Sequence, residues 1–192
     1  DGLFCTGTET CATGSCGLPT GDPCGANTRC DDALAQCVGV TAVATGGRHT
    51  CALLGSGAVR CWGQNDSGQL GYANTSTIGD GPGERPPQNV DVGGTVSALA
   101  VGLYHTCALL GTGAVRCWGL GADGQLGYGN TDNIGDGSGE MPPADVDLGG
   151  TVTALAAGTY HTCALLSTGA VRCWGRGFDC QLGYGNANNI GD

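Results

Sequence analysis

HTCALLGSGAVRCWG, residues 49–63, returns almost letter for letter as HTCALLGTGAVRCWG at 105–119 and HTCALLSTGAVRCWG at 161–175. The period is 56 residues (49, 105, 161), and flanking segments keep the same offset. Gln69-Leu70-Gly71-Tyr72 recurs at 125–128 and 181–184, and Ile78-Gly79-Asp80 recurs at 134–136 and 190–192. A fixed period of this length marks a stacked repeat architecture, in which each unit buries its faces against its neighbours.

Each unit reads as strands. HTCALL, a three-residue turn bearing glycine, and AVRCWG make a hairpin signal. Val40–Ala44, Val96–Ala100 and Val152–Ala156 alternate in the strand manner. A weaker fourth strand is expected after Pro86-Pro87 and Pro142-Pro143, over 89–92 and 145–148, where a leading proline suits a sheet edge. No segment shows a helical period with caps. If Gly55, Ser56 and Gly57 form the turn, Leu54 faces Ala58 and Cys51 falls opposite Cys61. One face of the hairpin then carries His49, Cys51, Leu53, Val59 and Cys61; the other carries Thr50, Ala52, Leu54, Ala58, Arg60 and Trp62. Both faces are mostly apolar, as in a sheet sandwiched between two others. The expectation is an all-β fold of four-stranded blades, about 2.7 repeats long. The units run 39–94, 95–150 and an incomplete 151–192, preceded by a small disulfide-rich module over 1–38.

The pattern H-T-x-A-L…G-x-V-x-x-W-G…G-Q-L-G resembles the regulator of chromosome condensation (RCC1) repeat, over residues 40–192. The resemblance implies a β-propeller, typically of seven blades with four strands each. Two departures stand out. Cysteines occupy 51 and 61, 107 and 117, 163 and 173, where the family usually has apolar residues. The nucleotide-exchange activity that the family exerts on a small GTPase also rests on member-specific loops that have no match here. The resemblance therefore implies a fold and not that activity. The paired cysteines suggest a secreted, bacterial-type variant.

Composition narrows the partners. Seventeen acidic residues stand against seven basic ones, all arginine, for a net charge of −10. Such a chain is repelled by nucleic acid and by anionic membranes. With no lysine, Schiff-base chemistry is excluded. No apolar run approaches the roughly 20 residues of a membrane span. Thirteen cysteines point to an oxidising compartment, so a secreted or cell-surface protein is expected. The sequence opens Asp1-Gly2-Leu3 with no apolar leader, so any secretory signal is expected to have been removed or to lie outside it.

Cross-strand pairs Cys51–Cys61, Cys107–Cys117 and Cys163–Cys173 are the simplest reading of the repeat cysteines. The rival is zinc, since His49, Cys51 and Cys61 share a face. Oxidation and the lack of a fourth ligand favour the disulfide. Cys5, Cys11, Cys16, Cys24, Cys30 and Cys37 lie in a stretch almost without core-forming side chains, which three disulfides would staple. Cys180 is left over. It replaces the glycine found at 68 and 124, and is expected to bond to another chain, the alternatives being the amino-terminal module or a free thiol.

Other motifs weigh less. The string 119–124 matches a dinucleotide fingerprint, but no helix follows to meet a pyrophosphate. Loops 74–80 and 130–136 have oxygens that could hold calcium, though the same residues form ordinary turns. No cofactor is otherwise implied. Asn65-Asp66-Ser67 and Asn74-Thr75-Ser76 are glycosylation sequons. Arg60, Arg116 and Arg172 could form an anion-binding ring, but lying across the tryptophan or pairing with a carboxylate explains them better. No nucleophile adjoins a base, so an enzyme is not expected. Positions that vary between copies are candidate binding contacts: Tyr104, Tyr160, Arg176 and Phe178.

Propellers close with four to eight blades. A chain of fewer than three complete units is expected to leave blade faces and strand edges open to addition. Ala33–Val38 stands where a fourth strand would be needed to complete the last unit of another copy. Two functions follow as expectations. One is an extracellular structural protein whose copies self-associate into a fibre or surface layer. The other is a fragment of a closed secreted propeller that recognises or inhibits another protein.

Overall fold

The computed structural model describes residues 28–31, 36–81, 84 and 88–192. Among the described residues, ten strands form three antiparallel sheets. β1 (Thr28–Asp31), β2 (Gln36–Thr45), β3 (His49–Leu54) and β4 (Val59–Gly63) lie in that order in the first. β5 (Val96–Val101), β6 (His105–Leu110) and β7 (Val115–Gly119) form the second. β8 (Val152–Ala157), β9 (His161–Leu166) and β10 (Val171–Gly175) form the third. The chain divides into two compact units. One reaches Thr41 and includes Leu54–Ser56; the other holds Ala42–Leu53 and Gly57–Asp192, and with them the repeats.

The hairpin register is the expected one in every copy: Cys51 faces Cys61, Cys107 faces Cys117, and Cys163 faces Cys173. Directly opposed β-carbons bring the sulfurs together, and all three pairs are disulfides. The cysteines of the first two are fully buried. The turn that sets this register closes with Gly113 N–H on Leu110 O at 2.9 Å in the second sheet. Gly113 has φ +86°, and a β-carbon there would run into Thr151 of the following repeat. Glycine is thus required both by the turn and by the neighbour.

Core forms between sheets, not within them. The forward face of the first sheet (Cys51, Leu53, Val59, Cys61) packs on Ala108, Leu110 and Trp118 of the second. The forward face of the second (Cys107, Leu109, Val115, Cys117) packs on Ala164, Leu166 and Trp174 of the third. Each sheet is therefore a blade with two apolar faces, as the alternation of its residues predicts.

The further strand expected over 89–92 and 145–148 does not form. The third sheet-forming strand is bordered instead by three separate contacts. In the first repeat, Val90 N–H donates to Val59 O at 2.8 Å, the Tyr72 hydroxyl pairs with the Cys61 N–H and C=O at 3.0 and 3.2 Å, and Ile78 exchanges bonds with Gly63. The second repeat repeats them with Val146, Tyr128 and Ile134. A phenol cannot extend a ladder, so pairing stops after one residue. Asp91 and Asp147 then turn the chain away by accepting from Gly93 and Gly149 N–H. The outer edge is consequently occupied in the first two repeats, whereas in the third Val171 stays 57% exposed. Burial raises Tyr72 and Tyr128 to about 12, so these caps stay protonated.

Residues 36–38 are likewise not a spare strand. They begin β2 and pair with β1, with Cys30 opposite Cys37 in the ladder. Cys5, Cys11, Cys16 and Cys24 lie outside the described residues. Among the described residues no helix is long and apolar enough to cross a membrane.

Each buried disulfide closes a short loop, and removing one is expected to cost about 3 kcal/mol. Urea unfolding of the double variant Cys107→Ala/Cys117→Ala should report a loss of that order, with strand content retained.

Candidate functional site: the joint between blades

The groups that hold one blade to the next are polar and buried. In each repeat the Gln-Leu-Gly turn is braced internally: Gln69 Oε1 accepts from Ser67 N–H at 2.9 Å, and Gln125 Oε1 from Asp123 N–H at 2.8 Å. Bracing the side chain leaves the main-chain carbonyl aimed at the following blade. Gln69 O accepts the Thr106 hydroxyl at 3.0 Å and the Trp118 indole N–H at 3.0 Å. Gln125 O accepts Thr162 at 3.2 Å and Trp174 at 2.9 Å. Two donors saturate the two lone pairs of a carbonyl.

The histidine tautomer follows. Thr106 has one hydroxyl proton, committed to Gln69 O, so its oxygen accepts from His49 Nε2–H at 2.8 Å. The same holds for His105 and Thr162 at 2.9 Å. Nδ1 of both rings is buried without a partner. Burial pushes His49 down to about 4, the Leu103 backbone acting in the opposite direction. Burial, reinforced by His49 and His161, pushes His105 down to about 3. Both are neutral, structural histidines. Their cysteine neighbours are oxidised, which leaves no thiolates for zinc.

The faces of the first and third blades that no described blade covers carry half a joint each. On the first blade, Trp62 is 37% exposed, against 0% for Trp118 and 3% for Trp174. On the third, Val171 is 57% exposed, whereas Val59 and Val115 are 0% and 1%. The third blade also has an open cleft of about 350 Å³ lined by Thr159, Tyr160, His161, Arg176, Asp179 and Gln181. His161 and Gln181 correspond to the residues that grip threonine and tryptophan elsewhere. The cleft, or socket, has the lining of the histidine–glutamine side of an internal joint.

The variable residues are split by the fold. Arg176 lies over Tyr160 at 5.5 Å and Phe178 at 5.2 Å, so three of the four candidates form one cluster at the mouth of the socket. Tyr104 is elsewhere, under Arg48 of the first blade at 5.7 Å. Arg116 pairs with Asp145 at 2.6 Å and reaches Val92 O at 2.7 Å, while Arg60 bonds Asn89 at 2.8 Å. These two are fastenings between strands and blades. Asn65 is fully buried, its amide donating to Asn74 O at 2.7 Å, so that sequon is inaccessible. In the acidic loops, Glu84 and Glu140 accept turn N–H groups from Gly79, Asp80 and Gly81, and from Gly135 and Gly137. Among the described residues no group of three or more His, Cys, Asp or Glu side chains is arranged to hold a metal ion. Cys180 is exposed and unbonded. The glutamine carbonyls went unnoticed in the sequence because main-chain atoms leave no mark there beyond the recurrence of Gln69 itself.

Profiles of the regulator of chromosome condensation (RCC1) repeat match residues 56–109 and 112–165 and, in a second version, 40–69, 96–125 and 152–180. The chain belongs to the RCC1 repeat family. It is 34% identical over 152 residues to the RCC1 domain-containing protein RUG3, mitochondrial, of Arabidopsis thaliana, covering 78% of this chain and 33% of that protein. It is 37% identical over 153 residues to the probable E3 ubiquitin-protein ligase HERC3 of Homo sapiens, covering 77% of this chain and 13% of that protein. The RCC1-repeat chain thus spans a third or less of these relatives. Prp20p of Saccharomyces cerevisiae, studied for its binding to Gsp1p and histones, has the same fold: TM-score 0.60, 23% identity, 79% of this chain and 37% of that one. Human WBSCR16 gives TM-score 0.65 and 23% identity, over 90% of this chain and 42% of that one. The RCC1 chain is therefore built of propeller blades.

Two outcomes test the joint. Thr106→Val strands the His49 N–H and should cost about 1–3 kcal/mol in urea unfolding, whereas Thr50→Val, on the open face, should change little. The second is a pH effect. Folded-state values of about 4 and 3 lie below the ordinary 6.5, so the unfolded chain binds protons first as the pH falls. Stability is full above pH 6.5 and should decline below it by about 1.4 kcal/mol per pH unit for each histidine. Melting curves between pH 7 and pH 5 read this directly; a flat profile would exclude two buried neutral rings.

Proposed function

We propose that this RCC1-repeat protein is a non-enzymatic, extracellular assembly module whose copies associate blade face to blade face. One observation carries the reading: the first and third blades present, on the faces that no described blade covers, the two complementary halves of the internal joint. Thr50 and Trp62 stand on the first blade, and His161 and Gln181 line the socket of the third. A head-to-tail contact of this kind is heterologous and builds open arrays when it does not close. The exposed apolar side chains Leu165, Val171, Phe178 and Tyr184 on the third blade add surface that association would bury. The contact proposed is through faces and not strand edges, since the Tyr72, Tyr128 and Tyr184 hydroxyls occupy the outer-edge N–H groups of Cys61, Cys117 and Cys173.

Three interstrand disulfides in a chain with thirteen cysteines support an oxidising, extracellular setting and the secreted variant of the family. A non-enzymatic role is supported by the site chemistry. The buried histidines serve the joints, and the repeat cysteines are bonded. The partner on this reading is another copy, and neither nucleic acid nor a membrane suits a net charge of −10.

A second reading is favoured by the share of each relative that is matched, 33% for RUG3 and 37% for Prp20p. On it, these blades are an arc of a closed, secreted propeller that recognises or inhibits another protein, with the Tyr160–Arg176–Phe178 cluster on its rim. Sedimentation velocity from low to high micromolar concentration separates the two. Association that grows with concentration and weakens in Trp62→Ala supports assembly. Monomers at every concentration, unaffected by Trp62→Ala, remove it in favour of the recognition module.

A further inference from the structure

The two internal joints share a point where backbone meets backbone. Gly135 and Asp136 of the second repeat lie against Gly68 of the first, and Gly191 and Asp192 lie against Gly124 of the second. A β-carbon on Gly124 would come within 2.5 Å of Asp192 N and Gly191 C, and one on Gly68 would overlap Gly135 and Asp136 at least as closely. From the opposite side, a β-carbon on Gly135 would be 2.9 Å from Gly68 O. No flexible side chain lies between the two segments to yield.

Position 180 is the third copy of this site, and it is cysteine. The turn around it is unaltered. Cys180 N–H donates to Gly177 O at 2.8 Å and its carbonyl accepts from Gly183 N–H at 3.1 Å, as Gly124 does with Gly121 and Gly127 at 2.7 and 2.9 Å. Its φ of +58° is in the same left-handed region as the +75° of Gly68 and Gly124. The backbone is therefore that of an internal joint with a side chain added on the docking side.

We infer that Cys180 is a wedge against any blade that packs on the forward face of the third in the repeat geometry. This rests on the assembly reading for its occupant, the first blade of a second copy. That blade would bring Gly79 and Asp80 to position 180; both are exposed, and nothing lies within 4 Å of where a Gly79 β-carbon would be. The remainder of the socket, His161 and Gln181, is intact. The wedge thus weakens one joint selectively, so contacts between copies are weaker than contacts within a copy. The bulk of the side chain at Cβ is responsible, and sulfur chemistry is not required.

Sedimentation velocity on wild type, Cys180→Gly and Cys180→Ser tests this between copies. Cys180→Gly should associate about tenfold or more tightly than wild type, and Cys180→Ser should match wild type. Equal association of Cys180→Gly and wild type overturns the wedge, as does Cys180→Ser behaving like Cys180→Gly. If neither wild type nor Cys180→Gly associates, the assembly reading fails, and the wedge is judged within one chain. There Gly124→Ser is compared with Gly129→Ser. Both positions have left-handed φ (+75° and +73°), but nothing lies near Gly129. A distinctly larger fall in melting temperature for Gly124→Ser upholds the wedge; equal falls overturn it.

Discussion

A main-chain carbonyl saturated by two donors from the next blade is the constraint on which this architecture depends. Gln69 O and Gln125 O each take a threonine hydroxyl and a tryptophan indole N–H in a buried, water-poor setting. Such a bond is worth little net but is costly to leave unmade. It therefore selects one relative placement of neighbouring blades among many that apolar contact alone would tolerate. The histidine behind the threonine extends the chain of bonds and must be neutral to do so.

Within a blade the same economy applies to the strand edges. The disulfide ties the two long strands at their centre, and a tyrosine hydroxyl caps the N–H and C=O of the outer cysteine in each pair of bonds it makes. One phenol thus removes an aggregation-prone edge and ends the ladder that a fourth strand would need. The two faces of a blade differ: one offers threonine and tryptophan, the other histidine and glutamine.

Repetition makes departures informative. Where a residue recurs at every joint, its role is fixed by the joint. Where it changes in one copy only, the joint alone does not account for it. Cys180 is such a change, and so is the Tyr160–Arg176–Phe178 cluster of the third blade. Family membership explains the shared residues and is silent on these.

The period, the hairpin and the opposition of Cys51 to Cys61 were all readable from residue order, because strand side chains alternate with a strict period of two and a glycine turn sets the register. The apolar character of both hairpin faces likewise announced that sheets stack. Sequence alone overestimated the fourth strand: residues 89–92 alternate acceptably, but the edge they would pair with is claimed by Tyr72, eleven residues from Cys61. It also could not show that Gln69 acts through its carbonyl, since every residue has one, nor that Gly68 faces the backbone of the following repeat. Those facts depend on which atoms of distant segments meet, and only the stacking of one blade on another decides that.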